Sequence, residues 1–101
     1  MPSLNPPQHC MSMDDVRKQI DILDTQLVEL LVARAGYIDR ATELKQRTGL
    51  PARIPERVEE VVNNVRANAT ESGLDPDLAE RLWRILIDWS IAREAKVIAV
   101  E

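Results

Sequence analysis

A chain of 101 residues has room for one domain, and 45% hydrophobic with 30% charged residues makes it globular rather than disordered. A formal charge of -4 excludes a general nucleic-acid binder, because phosphate backbones are met by a basic field, but it leaves room for a small anionic ligand held by a few local cations. Three glycines, no Phe, and long stretches of Ala, Leu, Glu and Arg predict an all-α protein with an aliphatic core.

The opening "MPSLNPPQHC" has neither a basic start nor an apolar run of signal-peptide length. Residues 1–12 are therefore read as a disordered tail, or as sequence upstream of an internal start at Met11 or Met13, and residues 13–101 as the folded helical domain. The single cysteine, Cys10, has no internal disulfide partner, which fits a cytoplasmic protein, and His9 with Cys10 is too small a set for a metal site. No segment approaches the roughly 20 apolar residues of a membrane span, so no membrane partner is expected.

The first helix starts at "SMDD", where Ser12 can cap and Asp15 can reach back as a capping box. It runs to about residue 47, near 50 Å, which exceeds a compact monomer with a radius of gyration of about 13 Å and so predicts a partner chain. In "RTGLPARIP", Gly49 caps this helix, Pro51 forbids its continuation, and Pro55 suits the first turn of a second helix. Val58, Val61, Val62, Val65 and Ala69 make that helix's apolar stripe. In "SGLDPD", Gly73 closes the second helix, Asp75 caps a third and Pro76 takes its first position. The third helix, about 76 to 98, has two apolar stripes: Leu78, Leu82, Ile85, Leu86 and Trp89, and then Trp83, Ile87, Ile91 and Ile98. It is expected to be covered on both sides.

Two features break these patterns. Val16, Ile20, Leu23, Leu27, Leu30, Ile38 and Ala41 share a stripe on the first helix, yet Arg34 and Lys45 fall in its middle, roughly 16 Å apart. Each such cation needs an anion, because an unpaired buried charge costs several kcal/mol. The anion is either a carboxylate of the protein or a ligand with carboxylates. Ser90 and Glu94, one turn apart, interrupt the second stripe of the third helix. Glu94 either pairs with Arg34 or Lys45 or stays protonated and donates a hydrogen bond. The only histidine lies in the tail, and no Gly-rich phosphate loop, metal constellation or activated nucleophile is present, so any chemistry works by positioning and electrostatics.

The fragments "VRKQIDILD" with Arg17, "LVARAG" with Arg34, "ELK" with Lys45, "IPERV" with Arg57 and "DWSIAREA" with Ser90 and Glu94 occur in that order over residues 13 to 98. This arrangement resembles the all-helical chorismate mutases and the related isochorismate-pyruvate lyases. The resemblance implies an intertwined homodimer of three-helix chains, with Arg17 entering the partner's active site. It implies that Arg34 and Arg17 clamp the substrate carboxylates, that Lys45 reaches a carboxylate and the ether oxygen, and that Arg57 supports this set. Ser90 and Glu94 then face the ring and the ether. The implied reaction is the cofactor-free rearrangement of chorismate to prephenate, in aromatic amino acid biosynthesis. The alternative is elimination of pyruvate from isochorismate to give salicylate. A non-catalytic dimerisation module is the third reading, for which Arg34→Ala and Lys45→Ala would be mild.

Two departures stand out. Many members carry glutamine where this chain has Glu94, and a glutamate can donate to the ether oxygen only when protonated, which predicts activity favouring mildly acidic pH. Typical mutases also place an acid directly after the loop arginine and another three residues before it. Here those positions are Val58 and Ile54, and "PERV" with Trp89 is closer to the lyase branch.

Overall fold

The computed structural model describes residues 4–101; the first three residues of the expected tail lie outside the described residues. A short 3-10 helix, Pro7–His9, precedes three α-helices: α1 (Met13–Thr48), α2 (Pro55–Ser72) and α3 (Pro76–Glu94). The described residues contain no strand, and the fold is all-helical as expected. The chain divides into two compact units, with the boundary in sequence between Tyr37 and Ile38.

In the first unit, Asn5 N–H donates to Gln19 Oε1 at 2.9 Å, and Ser12 Oγ caps α1 by accepting from Asp15 N–H at 3.2 Å. The Asp15 carboxylate accepts from Met11 N–H at 3.0 Å, so the box closes one residue earlier than the pattern predicts. From Met13 to Tyr37 no residue of α1 is buried, and Leu27, Val28, Leu30 and Val32 are exposed within the chain.

The second unit holds the core. Gly49 ends α1 in the left-handed conformation, φ 74°, while Leu50 N–H donates to Lys45 O at 3.0 Å. The same motif recurs at Gly73, φ 86°, where Leu74 N–H donates to Ala69 O at 2.8 Å. A side chain at either glycine would be strained, which is why the chain turns there. Asp75 caps α3 by accepting from Asp77 N–H at 2.9 Å. Val62 on α2 packs with Ile87 and Ile91 on α3 and with Ala52 of the α1–α2 joint, and Val58, Val61 and Ile98 close around them. Each buried Val or Ile among them, Val62, Ile87 and Ile91, contributes about 1.5–3 kcal/mol by leaving water. At the rim, Arg66 and Arg84 both reach Glu80, at 3.0 and 2.8 Å, and their hydrogen bonds, that from Arg84 first, hold its carboxyl below the ordinary range.

One expectation needs correction. Helix α3 stops at Glu94 rather than near 98, because the chain turns and both Val97 and Ile98 donate their N–H to Glu94 O at 3.0 Å. Ile98 still meets the core, but from this turn. Only one face of α3 is covered within the chain: Ile87 and Ile91 are buried, whereas Leu82, Ile85 and Trp89 are exposed.

Candidate active site

Lys45 sits in the last turn of α1, where a cation complements the helix C-terminus, and Glu94 is the last residue of α3. Packing of these ends brings Lys45 Nζ to 3.0 Å from Glu94 Oε2. Glu94 is buried at 4% exposure and Lys45 is half-buried. The contact is ionic rather than an aligned hydrogen bond at Oε2. The ammonium does donate a hydrogen bond to Ala52 O, at 3.0 Å. Lys45 is one of the two cations open to Glu94 from sequence, and it lies against the Glu94 carboxyl. Removing one partner of such a pair leaves an uncompensated charge, which costs about 3–5 kcal/mol when fully buried and less here, where Lys45 reaches solvent.

Ser90, one turn before Glu94 on α3, is also buried, and its hydroxyl donates to Leu86 O at 2.8 Å. Arg57 lies exposed in the first turn of α2 and pairs with Glu60. Val58 is half-buried against the core cluster, so an apolar group stands where the resemblance puts an acid. Ile54 is the N-cap of α2 and offers no side-chain oxygen to its first amides, whereas an acid there would cap the helix. In the first unit, Arg17 is exposed near the start of α1 and Arg34 is half-buried. The second unit thus unites Lys45 with Glu94, keeps Ser90 one turn away, and gives Arg57 a surface partner of its own.

Three participants escaped the sequence reading. Ala52 acts through its carbonyl oxygen, which no side-chain pattern reveals. Thr42, buried one turn before Lys45, donates its hydroxyl to Ile38 O at 3.0 Å and spares the helix an unsatisfied polar group. Arg93, next to Glu94, clasps Asp39 of α1 at 2.6 and 3.0 Å and lies over the Trp89 ring at 5.3 Å. That double hydrogen bond holds the Asp39 carboxyl below its ordinary pKa and raises that of Arg93. The only hint in sequence was the spacing of Trp89 and Arg93, four residues apart on one helix.

The chain is all-helical and sets a lysine and a buried glutamate together at two helix ends, beside an aliphatic core. Residues 16–95 match the chorismate mutase type II family, and the chain belongs to that family. It is similar to the isochorismate pyruvate lyase of Pseudomonas aeruginosa, at 34% identity over 91 residues that cover 89% of this chain and 88% of that one. It is also similar to the chorismate mutase of Methanocaldococcus jannaschii, at 25% identity over 83% of this chain and 85% of that one. The T-protein of Enterobacter agglomerans is 35% identical over 78% of this chain, which spans only 21% of that longer protein. No helix among the described residues is long and apolar enough to cross a membrane.

Proposed function

We propose that this chain is a chorismate mutase, a cytoplasmic homodimer whose folded domain, residues 13–101, rearranges chorismate to prephenate without a cofactor. The observation that carries the reading is the Lys45–Glu94 pair at 3.0 Å, set at the rim of an aliphatic core. In a one-step [3,3] rearrangement the C–O ether breaks as the C–C bond forms, so the protein needs a clamp and a charge stabiliser but no nucleophile. Arg34 and the partner's copy of Arg17 would hold the two carboxylates as bidentate forks, fixing the enolpyruvyl group over the ring. Lys45 would stabilise the negative charge that develops on the ether oxygen, while Arg57 adds to the anion-binding field. Glu94 would donate to the same oxygen when protonated, and Ser90 would face the ring. The partner chain is supported by the exposed apolar stripes of α1 and α3, which a second copy would cover.

A second reading, isochorismate-pyruvate lyase, has its own support. Val58 packs on the core where an acid would bind the ring hydroxyl, and the lyase of Pseudomonas aeruginosa matches over nearly its full length. The same clamp would then expel pyruvate and leave salicylate.

The test is a paired assay on one preparation at about pH 5.5 and 7.5. Loss of chorismate absorbance reports the mutase, and salicylate fluorescence reports the lyase. Faster chorismate turnover, higher at the acidic pH, is expected. Faster salicylate formation replaces the first reading with the second, and silence with both substrates from a folded dimer removes the enzyme.

A further inference from the structure

We propose that the C-terminal segment, residues 97–101, is a strap that positions Lys45 through a single peptide group. Two atoms of the Ala52–Arg53 peptide unit make opposite bonds. Its N–H, on Arg53, donates to Val100 O at 2.7 Å, and its C=O, on Ala52, accepts from Lys45 Nζ at 3.0 Å. The chain has no cis peptide among its described residues, so this unit is trans and its N–H and C=O point in opposite directions within one rigid plane. A tail that fixes the N–H therefore fixes where the carbonyl aims, and polarising one end of an amide strengthens the bond at the other. The neighbouring amide adds a second tie, Ala52 N–H to Ala99 O at 2.8 Å.

The same tail is anchored at its other end on the residue that faces Lys45. Glu94 O accepts from Val97 and Ile98, while the Glu94 carboxylate lies 3.0 Å from Lys45 Nζ. The contacts form a closed ring, from Glu94 through the 95–98 turn to Val100, across the 52–53 peptide to Lys45 and back to Glu94. Ile98 pins this ring to the core by packing against the cluster of Ala52, Val62, Ile87 and Ile91. The strap is a positioning element, since it acts on the site through Ala52 and Lys45. What it supplies is backbone: Arg53 and Glu101 approach only to 3.7 Å with Glu101 largely exposed, so the outer side chains matter little.

The inference rests on the proposed role of Lys45, and the experiment separates the two. Three variants of the full protein are compared with the unaltered chain on chorismate and isochorismate: Lys45→Ala, a truncation that removes Ala99–Glu101, and the double change Val100→Ala with Glu101→Ala. The truncation is expected to lower kcat about tenfold to a hundredfold with a smaller change in KM, because a misplaced stabilising group is felt most at the transition state. The double variant keeps its tail backbone and is expected to stay within about twofold. The Lys45 ammonium resonance, followed by NMR in the full and truncated chains, reads the same displacement without any turnover. Amide exchange in the full chain covers a truncated protein that does not fold: protected Ala52 and Arg53 amides are expected. An active Lys45→Ala protein overturns the role of Lys45. An inactive Lys45→Ala beside a folded truncation with unchanged kcat and an unmoved ammonium resonance overturns the strap, as do unprotected amides at 52 and 53.

Discussion

From Met13 to Tyr37, α1 leaves Ile20, Leu23, Leu27 and Leu30 at 43–57% exposure and buries nothing, whereas Ile38–Glu101 contains every buried core residue among the described residues. Both stretches carry apolar residues at helical spacing, so periodicity alone does not separate them. The difference teaches that apolar spacing sets which face of a helix is apolar, not what that face packs against. In the second unit the stripe of α2 meets the inner stripe of α3. In the first, the stripe is exposed, and so is the outer stripe of α3.

The largest expected effects test whether activity needs both stretches. Lys45→Ala, in the second, and Arg34→Lys, in the first, should each lower kcat/KM by about a hundredfold to a thousandfold, because one stabilising donor or one fork is lost. Steady-state kinetics beside an unchanged helical circular dichroism spectrum would establish this. Mixing inactive Arg17→Ala and Lys45→Ala chains should restore up to about a quarter of the activity, since only mixed dimers rebuild one intact site. No recovery after subunit exchange would show that Arg17 does not cross to the partner.

Next come the two kinds of core. Ile87→Ala should destabilise folding by about 2–4 kcal/mol, by lost transfer free energy and a residual cavity. Leu27→Ala should instead weaken association and make the melting temperature more dependent on protein concentration. Denaturant titrations at two concentrations distinguish them. Equal behaviour of the two variants would erase the contrast between the units.

Glu94→Gln supplies a donor at every pH, so the preference for acidic conditions expected of the unaltered protein should flatten by several-fold, as a pH–rate profile would record. The smallest effect is expected at Asp39. Its folded pKa lies below the ordinary 3.8 because Arg93 donates to it. A depressed carboxyl stabilises the fold above its unfolded pKa, and that contribution is lost as pH falls through the folded value. Asp39→Asn should therefore change thermal stability only slightly at neutral pH and soften the loss of stability below about pH 4, as melting curves across that range would show.

Much of the fold was legible because its signals are local. Gly49, Gly73, Asp75, Pro55 and Pro76 set helix ends through their own dihedrals and caps, whatever surrounds them. The end of α3 was not legible: Ala95 to Ile98 continue a helical pattern, and the turn they make is held by the tail's pairing with the joint. Of the candidate residues, Arg34, Lys45, Ser90 and Glu94 stood out because polar groups interrupted apolar stripes. The clasp of Asp39 by Arg93 left no such mark, since both lie on exposed faces where charge is ordinary.

The sequence by itself determined three helices, their caps, and the presence of charge where burial was due, because each depends on residues within a few turns of one another. Only the tertiary structure decided which anion answers Lys45 and that the Ala52 carbonyl shares it. Residues 45, 52, 94 and 100 meet because the ends of α1 and α3, the joint and the tail converge on one core, and a contact 3.0 Å long between distant residues is a property of that packing.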